Sequence, residues 1–173
     1  MNTWWSAIDT EHTSYDELKH RRVIAQGWKD LGDISALTRL IPSSREAFTQ
    51  IIQLLGDNAY PGMDWWENQD RTAERAPTVM WNLLSVQEGD LVVGIEGTTV
   101  RGICRAGSDG ADSYTYQAAW EYAQTVDFPA TWHDWDESVM GSPPQSPSRS
   151  VLGLRGLSAG HDDVANAWQR LGL

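Results

Sequence analysis

The chain has 173 residues and a formal net charge of −11 at pH 7, with 13 Lys and Arg against 24 Asp and Glu. Its length suits one domain of about 100–200 residues, and its 40% hydrophobic content is enough for a core, which excludes a disordered chain. The single cysteine, Cys104, excludes an internal disulfide and a cysteine-based zinc site. No apolar stretch has the length of a membrane span and no signal peptide precedes the domain, so we expect a cytoplasmic protein without membrane contact.

The charge is distributed unevenly along the chain. Residues 81–140 carry 2 basic and 10 acidic side chains, whereas residues 1–40 carry 5 and 6. Proteins that bind nucleic acid without regard to sequence rely on a basic surface that releases counterions. Non-specific wrapping of DNA is therefore disfavoured, and any polyanion must approach the N-terminal third.

Tryptophan is the most unusual feature of the composition. The chain has ten tryptophans but only two phenylalanines. Indole rings fill cores, but their flat faces also stack on nucleobases. We expect most of the ten to be buried and a minority to be available to a ligand; they are Trp4, Trp5, Trp28, Trp65, Trp66, Trp81, Trp120, Trp132, Trp135 and Trp168.

The first third predicts two strands around a short helix. The aromatic-rich run Thr3–Asp9 reads as a strand. A helix follows from Thr13, where a hydroxyl residue precedes acidic residues. A second strand covers Val23–Ala25 and closes at Trp28, and the polar segment Lys29–Ser35 is predicted to be a loop.

The middle of the chain predicts two helices. Apolar residues follow Ser43 and Ser44 at helical spacing until Gly56, which would end this first helix. A long loop, 58–74, with an exposed Trp65–Trp66 pair would follow. A second helix would carry Pro77 in its first turn.

The last third predicts a hairpin and further strands. Two strand-like runs, LVVGIEG (91–97) and TTVRGICRA (98–106), are predicted to pair as a hairpin with its turn at Gly97. Residues 107–112 are predicted to be a loop. Runs 123–128 and 131–136 are strand-like and are separated by Pro129. Residues 141–150 are a proline-rich linker, and 162–171 form a short helix.

These elements predict an α+β fold with a curved, largely antiparallel sheet of five to six strands and flanking helices, because strands and helices do not alternate strictly. Residues 1–140 would form the domain. Residues 141–173 would form a linker and a helix that packs on the domain or on a partner.

Sequence motifs for catalysis are absent, since the chain contains no GxSxG, HExxH, P-loop or GxGxxG pattern. His161 with Asp162 and Asp163, and His133 with its neighbouring aspartates, could support a small hydrolase or nuclease, but helix-dipole effects and strand alternation explain both groups better. We expect no enzyme activity, no metal and no cofactor.

Two segments carry a resemblance to a known family. Ile24–Ser35 contains the pattern G-W-x-x-L-G-D-x-S, and Glu88–Val93 reads E-G-D-L-V-V. Together, in order and spacing, they resemble the EVE domain, a PUA-like relative of the YTH domains and of the DNA-reading modules of modification-dependent restriction enzymes.

The resemblance implies a twisted PUA-like β-barrel and an aromatic cage for a modified base turned out of DNA or RNA. Trp28 matches the first cage aromatic, and Lys29 and Asp30 line the same loop. The second wall would come from 108–120, with Tyr114, Tyr116 and Trp120 left open as alternatives. Of Trp4 and Trp5, which point to opposite faces of a strand, at most one faces the pocket, and Trp5 is the candidate.

Phosphate contacts are assigned to the compact basic cluster Lys19, Arg21 and Arg22. A helix end neutralised by Asp16 and Glu17 explains this cluster equally well. The chain has no room for a nuclease or NTPase domain, so either a reader of this kind acts with a separate nuclease or NTPase subunit, or the protein uses the pocket for another purpose.

A second hypothesis, from a different class, is a protein-interaction subunit. Its acidic surface over 81–140 would dock a basic partner or mimic nucleic acid.

Overall fold

The computed structural model describes residues 1–69, 72–127, 132–145, 153–157 and 160–173. Within these ranges the chain forms eight strands in two sheets, with helices packed on them. The strands are β1 (Thr3–Ile8), β2 (Val23–Gln26), β3 (Leu91–Glu96), β4 (Thr99–Arg105), β5 (Tyr114–Tyr116), β6 (Gln124–Asp127), β7 (His133–Asp134) and β8 (Leu154–Gly156). The α-helices are α1 (Tyr15–Arg21), α2 (Arg45–Ala59), α3 (Thr72–Ser85), α4 (Glu137–Met140) and α5 (His161–Arg170).

The larger sheet has the strand order β7-β4-β3-β1-β8, and the smaller sheet has the order β2-β6-β5. β1 runs parallel to β3, and every other described pair is antiparallel. The expected combination of helices with largely antiparallel strands is therefore confirmed, but the strands form two sheets and not one, and they do not close into a barrel. The described strands exceed the expected five or six because β5 and β8 have three residues each, which is too few to show a period.

Two hydrophobic cores lie against the larger sheet. The larger core includes Leu18 of α1, Ile52 of α2 and Met80 of α3, and the smaller core includes Met140 of α4 and Val164 of α5. β3 contributes to both cores and is buried from Leu91 to Ile95. This explains its continuous apolar run, which is typical of a strand covered on both faces.

Trp132 joins the two sheets. It is 2% exposed and precedes β7, and its indole N–H donates to the carbonyl of Val23 in β2 at 3.0 Å. Tyr15 packs edge-on against it, with 5.6 Å between ring centroids. Both rings lie against Gly94, where a Cβ would be only 3.2 Å from the indole. A glycine in the middle of β3 therefore lets a large aromatic pair approach the sheet.

The expected end of α2 at Gly56 is wrong, because the helix continues to Ala59. Gly56 lies in the helix interior and forms a notch for Trp66, since a Cβ there would overlap the indole ring. Trp66 is fully buried, and its N–H donates to Asp57 Oδ1 at 3.0 Å. A glycine that looks like a helix stop therefore serves a close packing contact.

The expected loop over 58–74 is also wrong in part. It contains a π-helical turn, Trp65–Gln69, and the start of α3. Pro77 consequently lies inside α3 and not in its first turn, and it is buried where the helix packs on the larger core.

The other elements agree with the sequence to within about two residues, apart from two segments. β1, α1, β2, the hairpin of β3 and β4, and α5 are confirmed. The segment 29–35, expected to be a loop, contains the 3₁₀ turn Lys29–Leu31 and the start of another, Ser35–Leu40. The expected strand over 131–136 is reduced to β7. Phe128, Pro129 and Thr131 of the expected strands, and 146–150 of the expected linker, lie outside the described residues.

The C-terminal segment contributes one strand to the larger sheet and one helix to the smaller core. β8 pairs antiparallel with β1, and α5 packs on α4 and on the smaller core. Within the described ranges, no helix has the length and apolar character needed to cross a membrane.

Candidate functional site

The loop from Gly27 to Ser35, which follows β2, has an unusual start. Trp28 adopts the left-handed conformation, with φ 56° and ψ 47°, and its carbonyl accepts the Leu31 N–H at 3.1 Å to close the 3₁₀ turn. A bulky residue in this region of φ and ψ is rare and costs roughly 1–2 kcal/mol. The Trp28 side chain is half-buried against the larger core, so part of its ring faces solvent.

Polar side chains from β5 and β6 hold this loop in place. Gln124 is fully buried, and its Nε2 donates to the carbonyls of Trp28 at 3.2 Å and Gly32 at 3.1 Å. The Tyr114 hydroxyl donates to Gln124 Oε1 at 2.5 Å and accepts the Ile34 N–H at 3.2 Å. The Tyr116 hydroxyl donates to the Lys29 carbonyl at 2.9 Å. The loop is therefore fixed at four backbone positions, which makes it a preorganised element.

Tyr60, at the end of α2, contacts the loop from the other side. Burial, and to a smaller extent the negative charge of Asp30, raise the pKa of its hydroxyl to about 12, although the Asp30 backbone N–H lowers this pKa as a hydrogen-bond donor. Burial similarly raises the pKa of Tyr114 well above its ordinary value. Both phenols remain protonated at physiological pH and can keep their hydrogen-bonding roles.

Five of the predicted base contacts meet at this loop. Trp28 is half-exposed, the Asp30 carboxylate is exposed, and Lys29 is paired with Glu121 at 3.2 Å. Tyr114 and Tyr116 are also present, but their hydroxyl groups bond the loop backbone. The two tyrosines therefore act as positioning residues for Trp28.

The other two predicted base contacts lie elsewhere. Trp5 is 5% exposed and belongs to the smaller core with α4 and α5. Trp120 is 8% exposed, and the guanidinium of Arg21 covers its ring at 4.3 Å. The structure therefore does not bring Trp5 to the Trp28 loop, and it does not leave the Trp120 ring face open.

The predicted phosphate contacts have acidic neighbours at the end of α1. Lys19 Nζ lies 2.7 Å from Asp134, and Arg21 pairs with Glu17 at 2.9 Å. The Lys19 hydrogen bond holds the pKa of Asp134 below its usual range. Arg22 forms the left-handed C-cap of α1, with φ 62°. The neutralisation by Glu17 that the sequence allowed is present for Arg21, whereas Lys19 pairs with Asp134 of β7 and not with Asp16 or Glu17.

The histidine and aspartate groups considered for hydrolysis do not converge. The His133 ring packs edge-on against Trp168 at 5.6 Å, Asp134 pairs with Lys19, and Asp136 caps α4 through the Ser138 N–H at 2.9 Å. Burial raises the pKa of Cys104 far above its ordinary value, which suits a small apolar residue and not a nucleophile.

A possible cation-binding group lies after β1. Asp9, Glu11 and His12 are exposed, and each offers a ligand atom within 4.8 Å of the others. Asp9 is already engaged, because its carboxylate accepts the Glu11 N–H at 3.1 Å and lies 2.8 Å from His12 Nδ1. The spacing D-x-E-H is the sequence signal that could have identified the group.

The exposed Trp65–Trp66 pair that the sequence predicts is wrong for Trp66, which is fully buried. Trp66 is enclosed, whereas Trp65 is half-exposed and tilts against Tyr60, with 4.9 Å between ring centroids. Since Tyr60 also contacts Asp30, Trp65 belongs to the aromatic surroundings of the Trp28 loop. Only the position of Gly56, which fixes Trp66, could have indicated which ring points outward.

Searches against protein-family models, curated proteins and solved structures gave no match to this chain.

Proposed function

We propose that this protein is a non-enzymatic reader of a modified nucleobase in DNA or RNA, and that Trp28 stacks on the base. The observation that carries the proposal is the backbone of Trp28. A half-buried tryptophan has a left-handed backbone, and the loop that carries it is bonded by the buried Gln124 and the half-buried Tyr114 and Tyr116. Strained residues of this kind concentrate at functional sites.

The energetics of base capture suit an aromatic residue on a rigid loop. Turning a base out of its stack costs a few kcal/mol, and stacking on an aromatic side chain returns about 1–3 kcal/mol per base. A preformed loop adds little ordering cost on binding. The anchoring of the Trp28 loop by Gln124, Tyr114 and Tyr116 supports this scheme.

The neighbours of Trp28 suit recognition of a base edge more than of phosphate. The exposed Asp30 carboxylate can accept a hydrogen bond from an exocyclic amino group. Lys29 is neutralised by Glu121. Selectivity would come from shape and a few hydrogen bonds, which is compatible with a net charge of −11.

The finer fold assignment, to the PUA-like group and its EVE type, is part of this proposal, with the described strands in two sheets and not in a closed barrel. The G-W-x-x-L-G-D-x-S segment supports it, because its residues have distinct roles in the loop: Leu31 and Ile34 are buried, Gly32 has a φ of 74°, and Asp33 accepts the Ser35 N–H at 2.8 Å. Trp28 is the residue of this segment whose partial exposure to solvent plays no part in holding the loop together. A separate nuclease or NTPase subunit would act on the recognised nucleic acid.

A binding screen tests the proposal directly. Short oligonucleotides that carry 5-methylcytosine, 5-hydroxymethylcytosine or N6-methyladenine are compared with unmodified ones by fluorescence anisotropy. We expect the native protein to prefer one modified oligonucleotide by about tenfold or more, and Trp28→Ala to lose that preference while it stays folded. Trp168→Ala, a half-exposed tryptophan on α5, is the matched control. Equal binding of all oligonucleotides by the native protein would refute the proposal.

A second candidate function is supported by an acidic edge formed by Glu88, Asp109, Asp112 and Asp127, which are all exposed. Backbone hydrogen bonds hold this edge together: Glu88 N–H donates to Asp109 Oδ1 at 2.8 Å, and Asp112 N–H donates to the Asp109 carbonyl at 3.1 Å. Such an edge suits a basic protein partner. A protein retained at low salt by the native chain, and lost with Asp109→Lys and Asp112→Lys together, would favour this function. Retention of no protein would count against it.

A further inference from the structure

A recess of about 410 Å³ lies at the edge of the larger sheet, between β1, β8 and the start of α5. It is distinct from the Trp28 loop. Its volume is within the range of about 300–1,000 Å³ that small-molecule sites occupy. The residues that line it are Met1, Asn2, Thr3, Trp4, Gly156, Leu157 and His161.

The walls of the recess are held by hydrogen bonds below its surface. The indole N–H of Trp4 donates to Asp90 Oδ2 at 2.9 Å, and Asp90 is 1% exposed. The same carboxylate accepts the backbone N–H groups of Asn2 at 2.6 Å and Gln87 at 3.1 Å. Trp4 therefore presents a fixed, half-exposed ring, and Asp90 has its lone pairs occupied by the protein.

His161 supplies a directed polar group. Its Nδ1 lies 2.6 Å from Thr3 Oγ1, and Thr3 is 4% exposed. Whichever tautomer is present, this contact occupies Nδ1, and within the described ranges Nε2 has no hydrogen-bond partner. The recess thus combines an aromatic ring and the apolar side chains of Met1 and Leu157 with one imidazole nitrogen, as small-molecule sites commonly do.

The charges around the recess favour neither an anion nor a cation. The described residues that line it include no Lys, Arg or carboxylate side chain, and the charged group among them is the terminal ammonium of Met1, which would repel a cation. Asp162 and Asp163 are exposed in the first turn of α5, beside His161, and would repel an anion. A cation would find no free carboxylate in the lining, because the protein's own donors enclose Asp90.

We propose that this recess binds an uncharged, planar heteroaromatic molecule, which packs on Trp4 and exchanges one hydrogen bond with His161 Nε2. A bicyclic ring system with one ring nitrogen has a suitable size and polarity. The site is independent of the Trp28 loop, so its ligand need not be a nucleic acid.

Quinoline is the probe that tests this site, in an NMR titration of the full chain at neutral pH with backbone amides observed. N-methylquinolinium and quinoline-2-carboxylate are its cationic and anionic counterparts. We expect saturable shifts with quinoline, confined to residues 1–4, 156–157 and 161, and binding of both charged analogues that is weaker by about fivefold or more.

Two variants link the result to the proposed contacts. His161→Ala should weaken quinoline binding about fivefold, the usual effect of one lost hydrogen bond, and Trp4→Leu should weaken it further. His20→Ala, an exposed histidine at α1, is the control and should bind as the native protein does. The absence of saturable shifts, shifts centred on the Trp28 loop, or native affinity in His161→Ala would each overturn the proposal.

Discussion

Trp66 packs against Tyr60, and Trp28 lies in the loop that Tyr60 contacts through Asp30, but the two tryptophans have opposite environments. The Trp66 ring is enclosed, fits the notch at Gly56 and donates its N–H to Asp57. Trp28 is half-exposed with a left-handed backbone, and within the described ranges its indole N–H has no hydrogen-bond partner. Packing explains every feature of Trp66. Packing explains neither the partial exposure of the Trp28 side chain nor the energetic cost of its left-handed backbone. Trp66 is therefore a structural tryptophan, whereas part of Trp28 is accessible to a ligand.

The largest expected effect is on the Trp66 side of this comparison. Trp66→Ala would remove a fully buried indole and leave a cavity beside Gly56, so we expect the free energy of unfolding to fall by about 3–5 kcal/mol. Urea unfolding followed by far-UV circular dichroism measures the change. Trp65→Ala, the half-exposed neighbour, is the control and should cost clearly less. A loss of less than about 1 kcal/mol for Trp66→Ala would show that its packing is not essential.

The second effect concerns the residue that holds the Trp28 loop. Gln124→Leu keeps the volume but leaves the Trp28 and Gly32 carbonyls without their donor, and we expect a loss of about 2–3 kcal/mol. Amide hydrogen exchange at residues 28–34 should accelerate more than exchange in α2. Gln117→Leu, a half-buried glutamine outside the loop, is the matched control. Unchanged exchange in the loop would mean that Gln124 does not position it.

The third effect is a pH dependence that arises from Tyr60, which contacts both Trp66 and the Trp28 loop. The pKa of the Tyr60 hydroxyl is about 12 in the folded protein, above its ordinary value of 10.0. At a pH between these two values, the folded state keeps the phenol proton and the unfolded state loses it. Stability must therefore decrease as pH rises from 10 to 12. Tyr60→Phe should show a shallower decrease than the native protein, measured by urea unfolding at each pH. Identical slopes for the two proteins would indicate that Tyr60 ionises equally in both states.

The smallest expected effect on stability belongs to Trp28. Trp28→Gly loses partial packing but relieves a left-handed backbone, so we expect the free energy of unfolding to change by less than about 1 kcal/mol. Preference for the modified oligonucleotide should nevertheless disappear. A loss comparable to that of Trp66→Ala would place Trp28 among the structural tryptophans and remove the distinction.

Local patterns in the sequence predicted much of the fold. The aromatic-rich run of β1, the hydroxyl residue before the acidic residues of α1, the turn at Gly97 and the spacing in α5 each indicated an element that the structure contains. These features depend on near neighbours in the chain. Gly56 misled because its role depends on Trp66, ten residues away, and no local rule distinguishes a packing notch from a helix end.

The candidate site was predictable only in part. Trp28, Lys29 and Asp30 are adjacent in sequence, and the loop keeps them together. Whether an aromatic ring faces solvent depends on long-range packing, which is why Trp5 and Trp120 were placed with Trp28. The role of Gln124 could not be foreseen either, because its partners lie more than 90 residues away along the chain.

The indole N–H resonance of Trp28 reports most directly on whether this ring meets a base. It is assigned by comparison with Trp28→Phe and followed while each modified oligonucleotide and its unmodified counterpart are added. The proposed function requires the Trp28 signal to shift saturably with one modified oligonucleotide and not with its counterpart, while the buried Trp66 signal stays in place. A Trp28 signal that no oligonucleotide moves, or that both members of each pair move equally, would contradict it.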